Sequence, residues 1–261
     1  MNKAYILVCS VVLSIIIGCT NKMKETKEEI AATYTNEEAT TNDTLANSIH
    51  DNTSINITTS SPANVILTGI ANEKLIPIYS KHKVTTAGAV RKYSSYDASE
   101  YDNTTNEYEH FMPGLDVLYG YKLLNIAHYN LKENKLSYFF KRSALIKTLY
   151  YPATIQDSIG KQPINRNYYL VSAYDQDTNK DSLINKKDLR HFYCIEANNI
   201  TKTLLVPKGY SVKKSQYDFK DDLMYLYATH DSNNNGSVEE NEPTHIFYIN
   251  LKQPTLAVKV Y

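Results

Sequence analysis

Tryptophan is absent from this chain, and cysteine, glycine and proline are scarce, with three, eight and eight residues among 261. Three cysteines cannot build a disulfide framework. Cys9 and Cys19 lie in the first twenty residues, so Cys194 stands alone in the remainder. It sits inside the apolar run 192–195 and reads as a buried small hydrophobe rather than a nucleophile. The few glycines form no phosphate-cradling loop, and neither a G-x-S-x-G elbow nor an H-E-x-x-H pair occurs. Charge of one sign is also lacking. With 28 basic and 28 acidic residues the formal net charge is zero, which gives no footing for nucleic acid. The N-terminal apolar run, residues 6–17, falls short of the roughly 20 residues that cross a bilayer as a helix.

That run follows the positive Lys3 and closes on Ile16-Ile17-Gly18-Cys19. A charged start, a short apolar stretch and a small residue before the cysteine make an export signal. The four closing residues resemble a bacterial lipoprotein signal, which implies cleavage after residue 18 and lipid on Cys19. The resemblance implies an anchor in a bilayer of the bacterial cell envelope, the outer membrane in the first instance. Residues 19–62 are rich in Thr, Asn, Lys and Glu, hold one aromatic (Tyr34) and show no sustained apolar period. Such a segment buries too little surface to fold alone. As a flexible coil it reaches roughly 35 Å, a tether between lipid and the folded part.

Residues 63–261 supply enough chain for one sizeable core. Here strand formers dominate: 23 tyrosines in the whole chain, with many Ile, Val and Thr, and short apolar runs between turn signals. The expectation is an all-β domain.

Within it, residues 231–242 read D-S-N-N-N-G-S-V-E-E-N-E. Oxygen-bearing side chains fill the first, third, fifth, ninth and twelfth places (Asp231, Asn233, Asn235, Glu239, Glu242), with Gly236 sixth, Ser237 seventh and Val238 eighth. A hard cation takes about six to eight oxygens, one of them a backbone carbonyl from the seventh residue, and the chain must turn sharply at the sixth. The stretch resembles an EF-hand loop, which implies calcium. A second copy lies upstream, with Asp177, Asn179, Asp181, Leu183, Asn185 and Asp188 in the same places. It departs in two respects: Ser182 replaces the glycine, at about 1 kcal/mol of backbone strain, and Asp188 is shorter than glutamate. Asp175 offers an alternative frame for that loop, with Asp175, Asp177, Asn179 and Asp181 as ligands.

The loops belong to a longer repeat. Residues 169–174 align with 223–228, His191 with His245, Ile195 with Ile249 and Val206 with Val260. Each unit reads strand, loop, strand, tight turn, strand. Pro243 and the β-rich run after it argue against the exiting helix of an EF-hand pair, so the loops are expected at hairpin tips. A third unit without a calcium loop is expected at 121–140, and residues 147–152 echo 202–207. Another hairpin is expected around Asn72-Glu73. Repeats of this length point to antiparallel meanders arranged like propeller blades, with a partial propeller or a β-sandwich as alternatives. Residues 217–222, with the strands after them, resemble a blade of TolB-type propellers, although the family's Ser-Pro-Asp-Gly turn is missing.

A loop between strands has no helix lever to swing, so calcium is expected to order hairpins rather than signal. The reading is therefore a non-catalytic, calcium-binding, lipid-anchored envelope protein whose protein or glycan partner the sequence does not name. The alternatives are a carbohydrate- or peptide-binding module of an uptake system and a propeller-type hydrolase.

Overall fold

The computed structural model describes residues 49–50, 60–81 and 112–261. The export signal, Cys19 and most of the tether lie outside these residues. None of the described residues is helical, and all named strand pairs are antiparallel. The all-β expectation therefore holds.

The strands are β1 (Ile49–His50), β2 (Ser60–Pro62), β3 (Ile66–Leu67), β4 (Glu73–Ser80), β5 (Leu115–Asn130), β6 (Lys135–Tyr138), β7 (Leu145–Pro152), β8 (Ser158–Ile159), β9 (Gln162–Pro163), β10 (Tyr168–Tyr174), β11 (Leu183–Ile184), β12 (His191–Glu196), β13 (Lys202–Leu204), β14 (Tyr210–Asp218), β15 (Leu223–His230), β16 (Thr244–Asn250) and β17 (Val258–Lys259). The last four form one sheet in chain order, and a nine-stranded sheet runs β13-β12-β10-β7-β5-β4-β2, with β3 against β4 and β6 against β5. Three meanders can be traced in them: β2 and β3 with β4, β5 and β6; then β7, β10, β12 and β13; then β14 to β17. The first two are joined because β5 is long. Its C-terminal half pairs with β4 and its N-terminal half with β7. Where it crosses over, the register shifts, and a Cβ on Gly120 would stand 2.0 Å from the Ile146 carbonyl oxygen, so only glycine fits.

Burial follows the stack. Strand β10 is covered on both faces and is almost wholly apolar, whereas β15 alternates buried Met224, Leu226 and Ala228 with half-exposed Leu223, Tyr225 and Tyr227. On one side of β10 and β12, Tyr169, Val171, Tyr193 and Ile195 pack with Leu75, Ile126 and Phe139 of the first meander. On the other, Leu170, Phe192 and Cys194 pack with Met224, Leu226, Phe247 and Ile249 of the third.

Hydrogen-bonded pairs fix the sense of stacking. In an antiparallel pair they alternate with non-bonded pairs, so their side chains all leave one face. Leu131 N–H donates to Asn72 O (2.8 Å), Leu205 N–H to Phe192 O (2.8 Å) and Leu251 N–H to Asp222 O (3.1 Å). Together with the registers, these bonds make Ile76/Ala127, Val171/Tyr193 and Leu226/Phe247 the bonded pairs between second and third strands. If that face is the front, the second meander's front meets the first one's back, and the third's front meets the second's back. All three stack in one sense.

The expected repeat is visible, with two differences. Front residues 169, 171 and 173 correspond to 224, 226 and 228, whereas 191, 193 and 195 correspond to 245, 247 and 249. The extra residue lies just before the first loop, so the gap-free alignment is one residue out along β10. The echo of 202–207 in 147–152 does not mark equivalent places: the first segment begins in edge strand β13, the second is interior strand β7. Likewise the turn at 131–134 joins third and fourth strands, while both loops join second and third. The hairpin at Asn72 is present, with Asn72 left-handed at φ 66°. Cys194 is a buried free thiol, pushed up to about 12 by burial and then by Glu196.

Candidate functional site

The two loops are wired alike at their first, third, fifth and twelfth places. In the first, the Asp177 carboxylate accepts the N–H groups of Asp181 (3.1 Å) and Ser182 (2.8 Å). In the second, Asp231 accepts those of Asn235 (3.1 Å) and Gly236 (2.9 Å). At the third place, Asn179 Oδ1 accepts Asp181 N–H (3.0 Å) and Asn233 Oδ1 accepts Asn235 N–H (2.9 Å). At the fifth, Asp181 Oδ1 accepts Leu183 N–H (2.9 Å) and Asn235 Oδ1 accepts Ser237 N–H (2.8 Å). The twelfth residue closes each ring. Asp188 accepts from Thr178 and Asn185 (2.8 Å each), and Glu242 accepts from Ser232 (2.7 Å) and Glu239 (3.0 Å).

Backbone conformation repeats as well. Lys180 and Asn234 at the fourth place, and Ser182 and Gly236 at the sixth, are all left-handed, with φ of 62°, 56°, 69° and 80°. Serine accepts there the conformation that glycine adopts freely. The ninth place differs: Asn185 Oδ1 accepts Lys187 N–H (2.8 Å), whereas Glu239 Oε1 accepts from the Asn235 amide (3.0 Å).

Burial divides the oxygen-bearing residues of the loops. Asp188, Asn185 and Asp231 are buried, while Asp181, Asn233, Asn235 and Glu239 are exposed. Burial raises the Asp188 carboxyl above its ordinary range despite the N–H groups of Asn185, Thr178 and Asn179, which pull the other way. Glu242 is held below the usual range, first by the Glu239 N–H. Asp175, the alternative first ligand, belongs elsewhere. Its two oxygens lie 2.7 Å from His191 Nδ1 and 2.8 Å from the Tyr193 hydroxyl, which donates to it. His245, at the matching repeat position, is instead half-exposed with its Nδ1 2.9 Å from the Tyr210 hydroxyl.

Contact between the loops was not legible in the sequence. Thr178 Oγ1 donates to Gly236 O (2.6 Å), and a Cβ on Gly236 would stand 1.9 Å from Thr178 O. The first loop also carries β11, which pairs with β1 through Ile49↔Ile184 and His50↔Leu183. Beside the second loop lies a cleft of about 290 Å³ lined by Lys213, Thr229, Thr244 and three acids, Glu239, Glu240 and Glu242.

Among the described residues, no three His, Cys, Asp or Glu side chains are gathered into a metal-holding group. The loops' carboxylates are spread over backbone N–H donors, and the second loop relies on Asn amides at its third and fifth places. The donor set of both loops is oxygen alone, which suits a hard cation and not zinc or copper. Each carboxylate oxygen has more than one lone pair, so an N–H bond does not exhaust it. Comparison with protein-family models returns no match, and comparison with curated proteins returns none.

Proposed function

We propose that the chain is a calcium-binding, non-catalytic envelope lipoprotein, anchored through Cys19, in which calcium stiffens the second-to-third-strand connections of adjacent β-meanders. The observation that carries the reading is the shared wiring of the two loops. Loops with different sequences at the sixth, ninth and twelfth places close on the same set of N–H donors and adopt the same left-handed pair. A mere polar turn does not need five oxygen-bearing residues at matched spacing.

Residues at the first, third, fifth, ninth and twelfth places, with the carbonyls of Leu183 and Ser237, would hold the ions. Bound calcium supplies a charge that the carboxylates face together, which offsets their mutual repulsion. At an extracellular-type affinity of roughly 10⁻⁴ to 10⁻³ M, millimolar calcium contributes about 0.4–1.4 kcal/mol per site. That orders a loop but does not by itself drive folding. The same-sense stacking of the three meanders supports a partial propeller over a β-sandwich, because the second meander is covered on both faces, whereas each sheet of a two-sheet sandwich packs by one.

Calorimetric titration of calcium into the full chain in detergent, beside an Asp177→Ala, Asp231→Ala double variant, tests the reading. Two saturable events, absent from the variant and accompanied by a rise in Tm, are expected. No heat and no stabilisation at millimolar calcium would overturn it.

A further inference from the structure

Among the described residues the stack of meanders leaves two faces without a neighbouring sheet, and both are mostly apolar. On the front of the first meander, the registers set Ile76, Ala127 and Tyr138 in one row, and Leu67, Lys74, Tyr129 and Leu136 in the next. Val65 extends the first row. The outer residues are open: Val65 is 56 % exposed, Leu67 60 %, Leu136 50 % and Tyr138 44 %. On the back of the third meander, Gln216, Tyr225, Tyr248 and Val258 make one row, and Lys214, Tyr227 and Ile246 make another, which Val260 extends by donating its N–H to Ile246 O (2.7 Å). Val258 and Val260 are 51 % and 58 % exposed, and the three tyrosines are half-buried.

We propose that these two faces bind each other between copies of this chain, and that two copies close head to tail into a ring of six meanders. Three arguments select a second copy. Inside the molecule a back always packs on a front, as Leu170, Phe192 and Cys194 do on Met224, Leu226 and Phe247. The exposed back of the third meander is therefore matched by a front, and the exposed front among the described residues is that of the first. Chemistry agrees, since each face carries tyrosines and aliphatic residues.

Area selects closure. Four strands about 4.8 Å apart and some five residues tall give each face roughly 330 Å² of flat surface. One back-to-front contact covers about 660 Å², below the 1,200–2,000 Å² of stable interfaces, whereas a closed pair covers four faces, about 1,300 Å². A heterologous contact that closes on itself also leaves no open end for filament growth. This interface lies on sheet faces and does not depend on either loop holding an ion.

The test is sedimentation velocity of the full chain in detergent with 1 mM calcium, from 1 to 100 µM, beside Tyr138→Asp on one face and Val258→Asp on the other. Wild type is expected at the mass of two copies, and each variant at that of one, with association weakened at least tenfold. Far-UV circular dichroism checks the folds, and Tyr138→Ser and Val258→Thr replace any aspartate variant that loses its strand signal. A wild type of single-copy mass throughout would overturn the proposal, as would a mass that keeps growing with concentration. A variant at either face that retains the two-copy mass would show a contact of one face with itself, and would overturn the head-to-tail ring.

Discussion

The sixth place of the two loops offers an exchange with opposite expected signs. Ser182 is exposed and held at φ 69°. An L-residue in that region costs about 1–2 kcal/mol, while glycine loses about 0.5–1 kcal/mol more conformational entropy on folding. Ser182→Gly is therefore expected to stabilise by about 0.5–1 kcal/mol. Gly236→Ser runs the other way and further. At φ 80° it takes on the same strain, and its Cβ meets Thr178 O at 1.9 Å and Asn179 N at 2.7 Å, both backbone atoms that move only with the first loop. Overpacking of this kind costs about 1–3 kcal/mol, and losing the Thr178–Gly236 bond about 1 kcal/mol. The sum is about 3–5 kcal/mol. Urea unfolding in EDTA reads both variants without calcium, and at a slope of about 2.5 kcal/mol/M the Gly236→Ser midpoint falls by roughly 1–2 M. If Gly236→Ser costs no more than the strain alone, the loops do not touch. If Ser182→Gly destabilises, the left-handed sixth place of the first loop is wrong.

Arg166 and Asp222, both buried, make a two-pronged pair at 2.7 and 3.0 Å, and Arg166 also donates to Leu251 O (2.6 Å). Arg166→Ala leaves that carboxylate buried without its cation, the Tyr217 hydroxyl still donating to it at 3.2 Å, and should cost about 3–5 kcal/mol in chemical denaturation; a loss under about 1 kcal/mol would contradict the pairing. His128 Nε2 lies 2.9 Å from Ala197 O and 3.0 Å from Glu73 Oε2, and burial lowers its pKa below 6.5, the Glu73 carboxylate opposing. Between the folded and unfolded values the unfolded chain binds more protons, so stability is complete above 6.5 and declines as pH falls through the folded value. His128→Gln should flatten that part of the Tm–pH profile, and an unchanged slope would count against it. Calcium needs ionised carboxylates. On the proposed calcium reading, with Asp188 raised and Glu242 lowered, the first loop should lose its ion on acidification before the second, and calorimetry at pH 7 and pH 5 that shows parallel weakening would refute this.

Fold class was legible because tyrosine and β-branched residues recur in short runs, and the matched spacing of oxygen-bearing residues in the two loops was legible because it is local. The phase of β10 was not. Its side chains are apolar on both faces, so shifting the alignment by one residue exchanges one buried set for another and leaves no mark in the sequence, although it turns every side chain to the opposite face. β15 does carry the mark, since its back face lacks a covering sheet among the described residues and alternates visibly. The echo of 202–207 misled for a related reason: Lys-Thr-Leu followed by apolar residues and proline suits both an interior strand and the exit from an edge strand. The Glu73–His128 and Arg166–Asp222 pairs join residues 55 and 56 positions apart, which no local pattern brings together.

Same-sense stacking explains why the loops meet. Connections between second and third strands emerge at one end of each meander, so those of adjacent meanders become neighbours, and the Thr178–Gly236 contact follows from the topology. A cation at either loop would then act at a seam between two meanders rather than on an isolated hairpin. Ordering the second loop fixes Gly236 O, the acceptor for Thr178, whose own oxygen receives the Leu189 N–H (2.8 Å) one residue beyond Asp188. Glycine at 236 is thus required twice, for its left-handed φ and for the approach of Thr178, whereas serine at 182 meets only the first demand. The departure of the first loop from the calcium pattern falls at the place where the fold tolerates it.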